Sequence, residues 1–107
     1  GLESHPQHAL ACRLYPNGFG AMLSFELAGG EAAARAFLRG LRRIPFVPSL
    51  ADVATTVSYP VATSHRNVPP AERAAMGVGP GLVRLSIGIE AVEDIIADLD
   101  GALARVR

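Results

Sequence analysis

"GLVRLSIGIE", residues 81–90, sets a single arginine among apolar and small residues. Side chains alternate along a strand, which sends Val83, Leu85, Ile87 and Ile89 to one face and Leu82, Arg84, Ser86 and Gly88 to the other. One face suits a core; the other carries a cation. The residues that follow, "AVEDIIADLDGALARVR", place Val92, Ile95, Ile96, Leu99, Ala102, Leu103 and Val106 on one helical stripe. Glu90, Glu93 and Asp94 crowd the start of that helix and Arg105 and Arg107 its end, which complements the helix dipole. A strand feeding an amphipathic helix implies a sheet covered by helices.

Working back along the chain, Ser4 and Gln7 have the spacing of a capping box, with Pro6 between them, so "SHPQHALACRLY" is expected to be a short helix ended by Pro16-Asn17-Gly18. "AMLSFEL" alternates Leu23, Phe25 and Leu27 against Met22, Ser24 and Glu26, as a half-buried strand does, and Gly29-Gly30 closes it. Residues 31–41 put Ala34, Phe37, Leu38 and Leu41 at helical spacing, with Glu31 in the first turn and Arg39, Arg42 and Arg43 near the last. "IPFV" and "TTVSYP" are short β-type runs separated by a loop, "PSLADVA". "SHRNVPPAERAAMGVGPG" is a connection with one helical turn over residues 71–76. There is no internal repeat. The order predicts a two-layer α+β domain, 1–107, with helices on one face of a small, mainly antiparallel sheet. The sheet's other face is left to meet something else.

At 107 residues, half of them apolar, the chain fits one domain with a real core. Ten acids balance ten bases, so nothing in the charge favours nucleic acid, and no uncharged apolar stretch approaches the ~18 residues that cross a bilayer. A single cysteine, Cys12, forbids an internal disulfide and fits a reducing compartment, the cytoplasm by default. The start at Gly1, with neither a basic segment nor a long apolar run behind it, is expected of a piece of a longer chain. All ten bases are arginines, so no lysine is present and Schiff-base catalysis cannot occur within these residues.

Several patterns suggest chemistry that their context does not support. "GVGPG" at 77–81 resembles a phosphate cradle but precedes a strand, whereas such loops follow a strand and open a helix. His5, His8 and Cys12 share a helical face but offer zinc no fourth ligand. Arg35, Arg39 and Arg42 line one side of a helix in a chain without tryptophan or an RNA-binding signature, as a solvated face does. Arg84 is different. It can pair across strands with Glu26, or its planar fork can clamp a carboxylate from a rigid strand.

Three segments taken together carry a family resemblance: "GFGAMLSFELAGG" (18–30), "PSLADVATTVSYPVATSH" (48–65) and "GLVRLSIGIEAVEDIIADLDGAL" (81–103). In order and spacing they resemble the C-terminal domain of the pyridoxal-phosphate enzymes of cysteine and methionine metabolism, which include cystathionine gamma-synthase, cystathionine gamma-lyase, methionine gamma-lyase and the homoserine-ester sulfhydrylases. The resemblance implies a fold-type I subunit much longer than this chain, assembled as a homotetramer. Its N-terminal domain holds pyridoxal 5'-phosphate and the aldimine lysine.

By the same resemblance, Arg84 matches the arginine that binds the α-carboxylate of the amino-acid substrate, and Ser49 matches a serine lining the same end of the site. The chain is then the substrate-binding part of a lyase or transferase, silent by itself. It departs from the family at Ala51, where many members have glycine, at Ala54, where many have an acid, and at Pro48, where some have a substrate-selecting glutamate. Thr63 and His65 match a segment near the site. The alternative from a different class is a free-standing α+β module that binds an amino acid or a protein without catalysis.

Overall fold

The computed structural model describes residues 1–106. Its elements, in chain order, are α1 (His8–Leu14), β1 (Met22–Glu26), α2 (Gly30–Gly40), β2 (Thr56–Ser58), a 3-10 turn at Pro60–Ala62, α3 (Pro70–Ala75), β3 (Leu82–Ser86) and α4 (Val92–Leu103). The strands form one sheet in the order β1-β3-β2, with both pairings antiparallel. The "IPFV" segment adds only a parallel bridge from Phe46 to Val57. The α+β class and the largely antiparallel sheet expected from the sequence are both present.

The alternation of the opening stretch holds over the five residues of β3. Val83 and Leu85 are fully buried, level with Phe25 and Leu23 on β1, and Val57 on β2 sits beside Leu85. On this face α2 contributes Ala33, Ala34 and Phe37. Phe37 meets Phe25 edge to face, with centroids 5.6 Å apart, the arrangement that ring quadrupoles favour. The two long helices approach closely because Gly40 has no side chain: a Cβ there would lie 2.8 Å from the Ala102 Cα.

Asp98 explains how α4 is tied to the chain leaving α2. Its carboxylate is buried and accepts the backbone N–H groups of Arg42 (2.9 Å), Arg43 (3.0 Å) and Ile44 (2.9 Å). Burial alone pushes its pKa up, but the N–H donors of Ile44, Arg42 and Arg43, with the Arg43 charge, outweigh burial and hold it below the ordinary value.

Several expectations need correction. The capping box does not form: His5 Nδ1 takes the Gln7 N–H at 3.1 Å, residues 2–8 fold into turns, and the helix starts at His8. α1 buries none of its residues. β3 ends at Ser86 because the chain then bends toward residue 53, leaving Ile89 83% exposed rather than on the core face. Of the expected stripe, Ile95, Leu99 and Ala102 on α4 and Val106 beyond its end face the core, while Val92, Ile96 and Leu103 are exposed. Arg107 lies outside the described residues.

The arginine stripe on α2 is solvated, with Arg35 paired to Glu31 at 2.7 Å. No described helix is long and apolar enough to cross a membrane.

Candidate functional site

Arg84 stands at the middle of the central strand, on the face away from α2 and α4. Its register partners are Ser24 on β1 and Ser58 on β2, so no carboxylate lies directly opposite. Glu26 is one pair farther along, opposite Leu82, and packs against Gly79. The ion pair between Arg84 and Glu26 does not form: among the described residues the salt bridges are Arg35–Glu31 and Arg43–Asp94. Arg84 instead donates from one terminal nitrogen, Nη2, to the carbonyl oxygen of Ser49 at 3.1 Å. Its Nε is buried and has no hydrogen-bond partner among the described residues. A half-buried guanidinium on a rigid strand, anchored at one end and with a buried donor unmet, is suited to an anionic ligand with two acceptor atoms.

The two residues singled out in the sequence, Arg84 and Ser49, are therefore brought together, but through the serine's main chain. Its carbonyl also accepts the Thr56 hydroxyl, a long contact at 3.4 Å.

The loop carrying Ser49 lies over the outer face of the sheet and is fastened by the end of β3. Ser86 Oγ accepts the Ala51 N–H at 2.9 Å. The Ile89 N–H reaches the Val53 carbonyl at 2.9 Å, and a Cβ at Gly88 would run into that same carbonyl. Thr55 Oγ1 accepts the Gly88 N–H (2.9 Å) and donates to Glu90 Oε2 (2.8 Å), while the Thr55 N–H reaches Glu90 Oε1 (2.6 Å). The Thr55 N–H, followed by the N–H of Glu90 itself and the Thr55 hydroxyl, holds the Glu90 carboxyl below its ordinary pKa against a smaller effect of burial.

Ala51 sits at φ 59°, the left-handed region where a Cβ is unfavourable. The Ser-x-Gly-x-Glu pattern of residues 86–90 was visible in the sequence. Its task, pinning a loop some thirty-five residues away, was not, because Thr55 gives no local sign of its partner.

Beside this loop lies an open groove of about 480 Å³ lined by Pro48, Ala62, Thr63, Ser64, Arg66 and Asn67. Thr63 Oγ1 is 3.1 Å from the hydroxyl of Ser58, the residue next to Arg84 across the strands. His65 pairs with Ser64 at 2.8 Å. The groove thus begins next to Arg84 without including it. Elsewhere, Tyr59 donates its hydroxyl to the Pro80 carbonyl at 2.7 Å, and burial raises its pKa.

The glycine-rich 77–81 segment is a tight turn into β3. Leu82 N–H closes it on Gly79, and the Gly81 carbonyl accepts the Leu27 N–H, which extends the pairing of β1 with β3. Cys12 contacts His8 at 3.3 Å, His5 is turned to Gln7, and no metal-binding group of three occurs among the described residues.

Known proteins resemble the chain over almost its whole length. The family described as Cys/Met metabolism PLP-dependent enzyme matches residues 1–104. O-succinylhomoserine sulfhydrylase of Pseudomonas aeruginosa is 42% identical over 97% of the chain and 26% of its own length. An L-methionine gamma-lyase of Fusobacterium nucleatum is 44% identical over 99% of the chain and 27% of its own length. The crystal structure of cystathionine gamma synthase from Xanthomonas oryzae pv. oryzae, in complex with aminoacrylate and cysteine, superposes with a TM-score of 0.88 at 50% identity, covering 99% of this chain and 27% of that one. The chain therefore spans about a quarter of the length of these relatives, and within that span both sequence and fold agree. It belongs to the family of pyridoxal-phosphate-dependent enzymes of cysteine and methionine metabolism.

Proposed function

We propose that this chain is the C-terminal, substrate-binding domain of a lyase or transferase acting on a sulfur-containing or homoserine-derived amino acid, and that Arg84 grips the substrate's α-carboxylate. The observation that carries this reading is the state of Arg84: no acidic partner among the described residues, one nitrogen anchored on Ser49 and a buried Nε left without an acceptor. A carboxylate arriving on that guanidinium gains charge-assisted bonds.

These residues do not by themselves fit pyridoxal phosphate. They include no lysine, and their glycine-rich turn leads into a strand and not into a helix whose N–H groups could face a phosphate. Holding the cofactor falls to the remainder of the enzyme, and the isolated chain is catalytically silent. What this domain supplies is orientation: a carboxylate held at two points fixes rotation of the amino acid about its Cα–C bond.

The N-terminal stretch supports a life within a larger, tetrameric assembly. α1 buries nothing, and Leu10, Leu14, Tyr15, Phe19, Met22 and Leu23 are all exposed. Residues of this kind are covered when a larger body packs on them. We assign the enzyme to the cytoplasm. Turnover of methionine, cystathionine and O-acylhomoserines by the complete enzyme, with residues 1–107 alone as the control, tests the proposal: the enzyme acts on at least one of them and the fragment on none.

A further inference from the structure

We infer that Thr55, bridging Gly88 and Glu90, is a positioning residue for substrate binding that acts on Arg84 through the Ser49 carbonyl. The inference rests on the carboxylate-binding role proposed for Arg84 and adds a second layer to it. The anchor of Arg84 is a main-chain oxygen on a loop, so the aim of the guanidinium is no better defined than the loop. That loop, from Pro48 to Ala54, has no element of regular structure. It is secured at its C-terminal end by a relay in which the Gly88 N–H donates to Thr55 Oγ1, the Thr55 hydroxyl donates to one Glu90 oxygen and the Thr55 N–H donates to the other.

Thr55 is the centre of this relay, and it is 99% buried, as its 1% exposure requires. Both of its side-chain bonds end on the segment that continues β3, the strand that also bears Arg84. The loop is thereby tied to the chain that runs on directly from the arginine's strand. Glu90 contributes an anion whose pKa is already depressed by these donors, so it remains charged at neutral pH. Removing the hydroxyl leaves the Gly88 N–H and a Glu90 oxygen unmet and loosens the C-terminal end of the loop, so that the Ser49 carbonyl is held beside Arg84 by the Ala51–Ser86 and Val53–Ile89 bonds and the long Thr56 contact alone. The guanidinium then has several orientations to choose among before a carboxylate can bind.

The test uses the complete enzyme and two ligands, L-norvaline, which lacks a leaving group, and butylamine, which has the same skeleton without the carboxylate. Binding is measured by calorimetry for the parent and for the Thr55→Val, Thr55→Ser, Glu90→Gln and Arg84→Ala variants. Thr55→Val is expected to weaken norvaline about tenfold, as loss of an anchoring hydrogen bond does, and to leave butylamine within about twofold. Thr55→Ser, which keeps the hydroxyl, restores norvaline binding, and Glu90→Gln weakens norvaline in the same selective way. If Arg84→Ala weakens norvaline while Thr55→Val and Glu90→Gln do not, the positioning role is overturned and the Arg84 reading stands. Equal weakening of both ligands by Thr55→Val overturns it as well, since that marks a general loss of structure. If Arg84→Ala leaves norvaline unaffected, the carboxylate reading and this inference fall together.

Discussion

Arg84 Nη2 donates to the Ser49 carbonyl oxygen at 3.1 Å, a contact that needs the serine's backbone and not its hydroxyl. Ser49→Ala therefore preserves the placement of Arg84. We expect it to raise KM for the amino acid less than about tenfold, the size of one hydrogen bond, and any rise measures what the hydroxyl itself does for the substrate. Steady-state kinetics on the complete enzyme reads this directly.

Ala51 occupies a conformation that suits glycine better than alanine, with its N–H on Ser86. Ala51→Gly relieves that strain at the cost of extra freedom in the unfolded chain. The expected net effect is a gain of up to about 1 kcal/mol, seen as a rise in the unfolding midpoint with KM unchanged. A lowered midpoint contradicts the φ of 59°.

Asp98 is the buried link between α4 and the chain after α2. Asp98→Ala strands three N–H groups and is expected to cost about 3 kcal/mol in denaturant unfolding. The pH dependence follows from the lowered pKa. The folded state favours the ionised carboxylate, so its contribution is complete above the ordinary value of 3.8 and is lost as pH falls through the lower folded value. Stability against pH should show this acid limb in the parent and a flatter one in Asp98→Asn.

Gly40 lets α2 and α4 touch. Gly40→Ala drives a methyl group into the Ala102 backbone, and backbone does not swing aside as a flexible side chain does. A loss of about 1–3 kcal/mol is expected, the usual cost of overpacking, despite alanine's better helix propensity. An increase in stability would show that the helices are farther apart than described.

Much of the fold was legible in the sequence because hydrophobic period carries it. Phe37 and Ala34 at helical spacing, and Val83 and Leu85 at strand spacing, all proved buried. Local signals at the ends misled where a tertiary or competing contact took over. Ser4 and Gln7 have capping-box spacing, yet the His5 ring reached the Gln7 N–H instead. Ile89 continued the alternation on paper, but the Ile89 N–H is drawn to the loop at Val53 and the strand stops short. Nothing local in the sequence marks Asp98, because only the approach of residues 42–44, more than fifty positions away, makes it a buried cap. At the candidate site the sequence singled out Arg84 and Ser49. It left open whether Glu26 neutralised the arginine, a matter of register that one residue pair decides.

The most direct test of the central claim is the KM of the Arg84→Ala variant of the complete enzyme for its amino-acid substrate, measured beside kcat. Loss of a charge-assisted, two-point grip on a carboxylate predicts a KM raised about a hundredfold or more, with partial recovery when guanidinium is added to the assay. A KM within about twofold of the parent, a change of under half a kcal/mol, contradicts the account, because the guanidinium anchored on Ser49 at the sheet's outer face would then not be where the substrate binds.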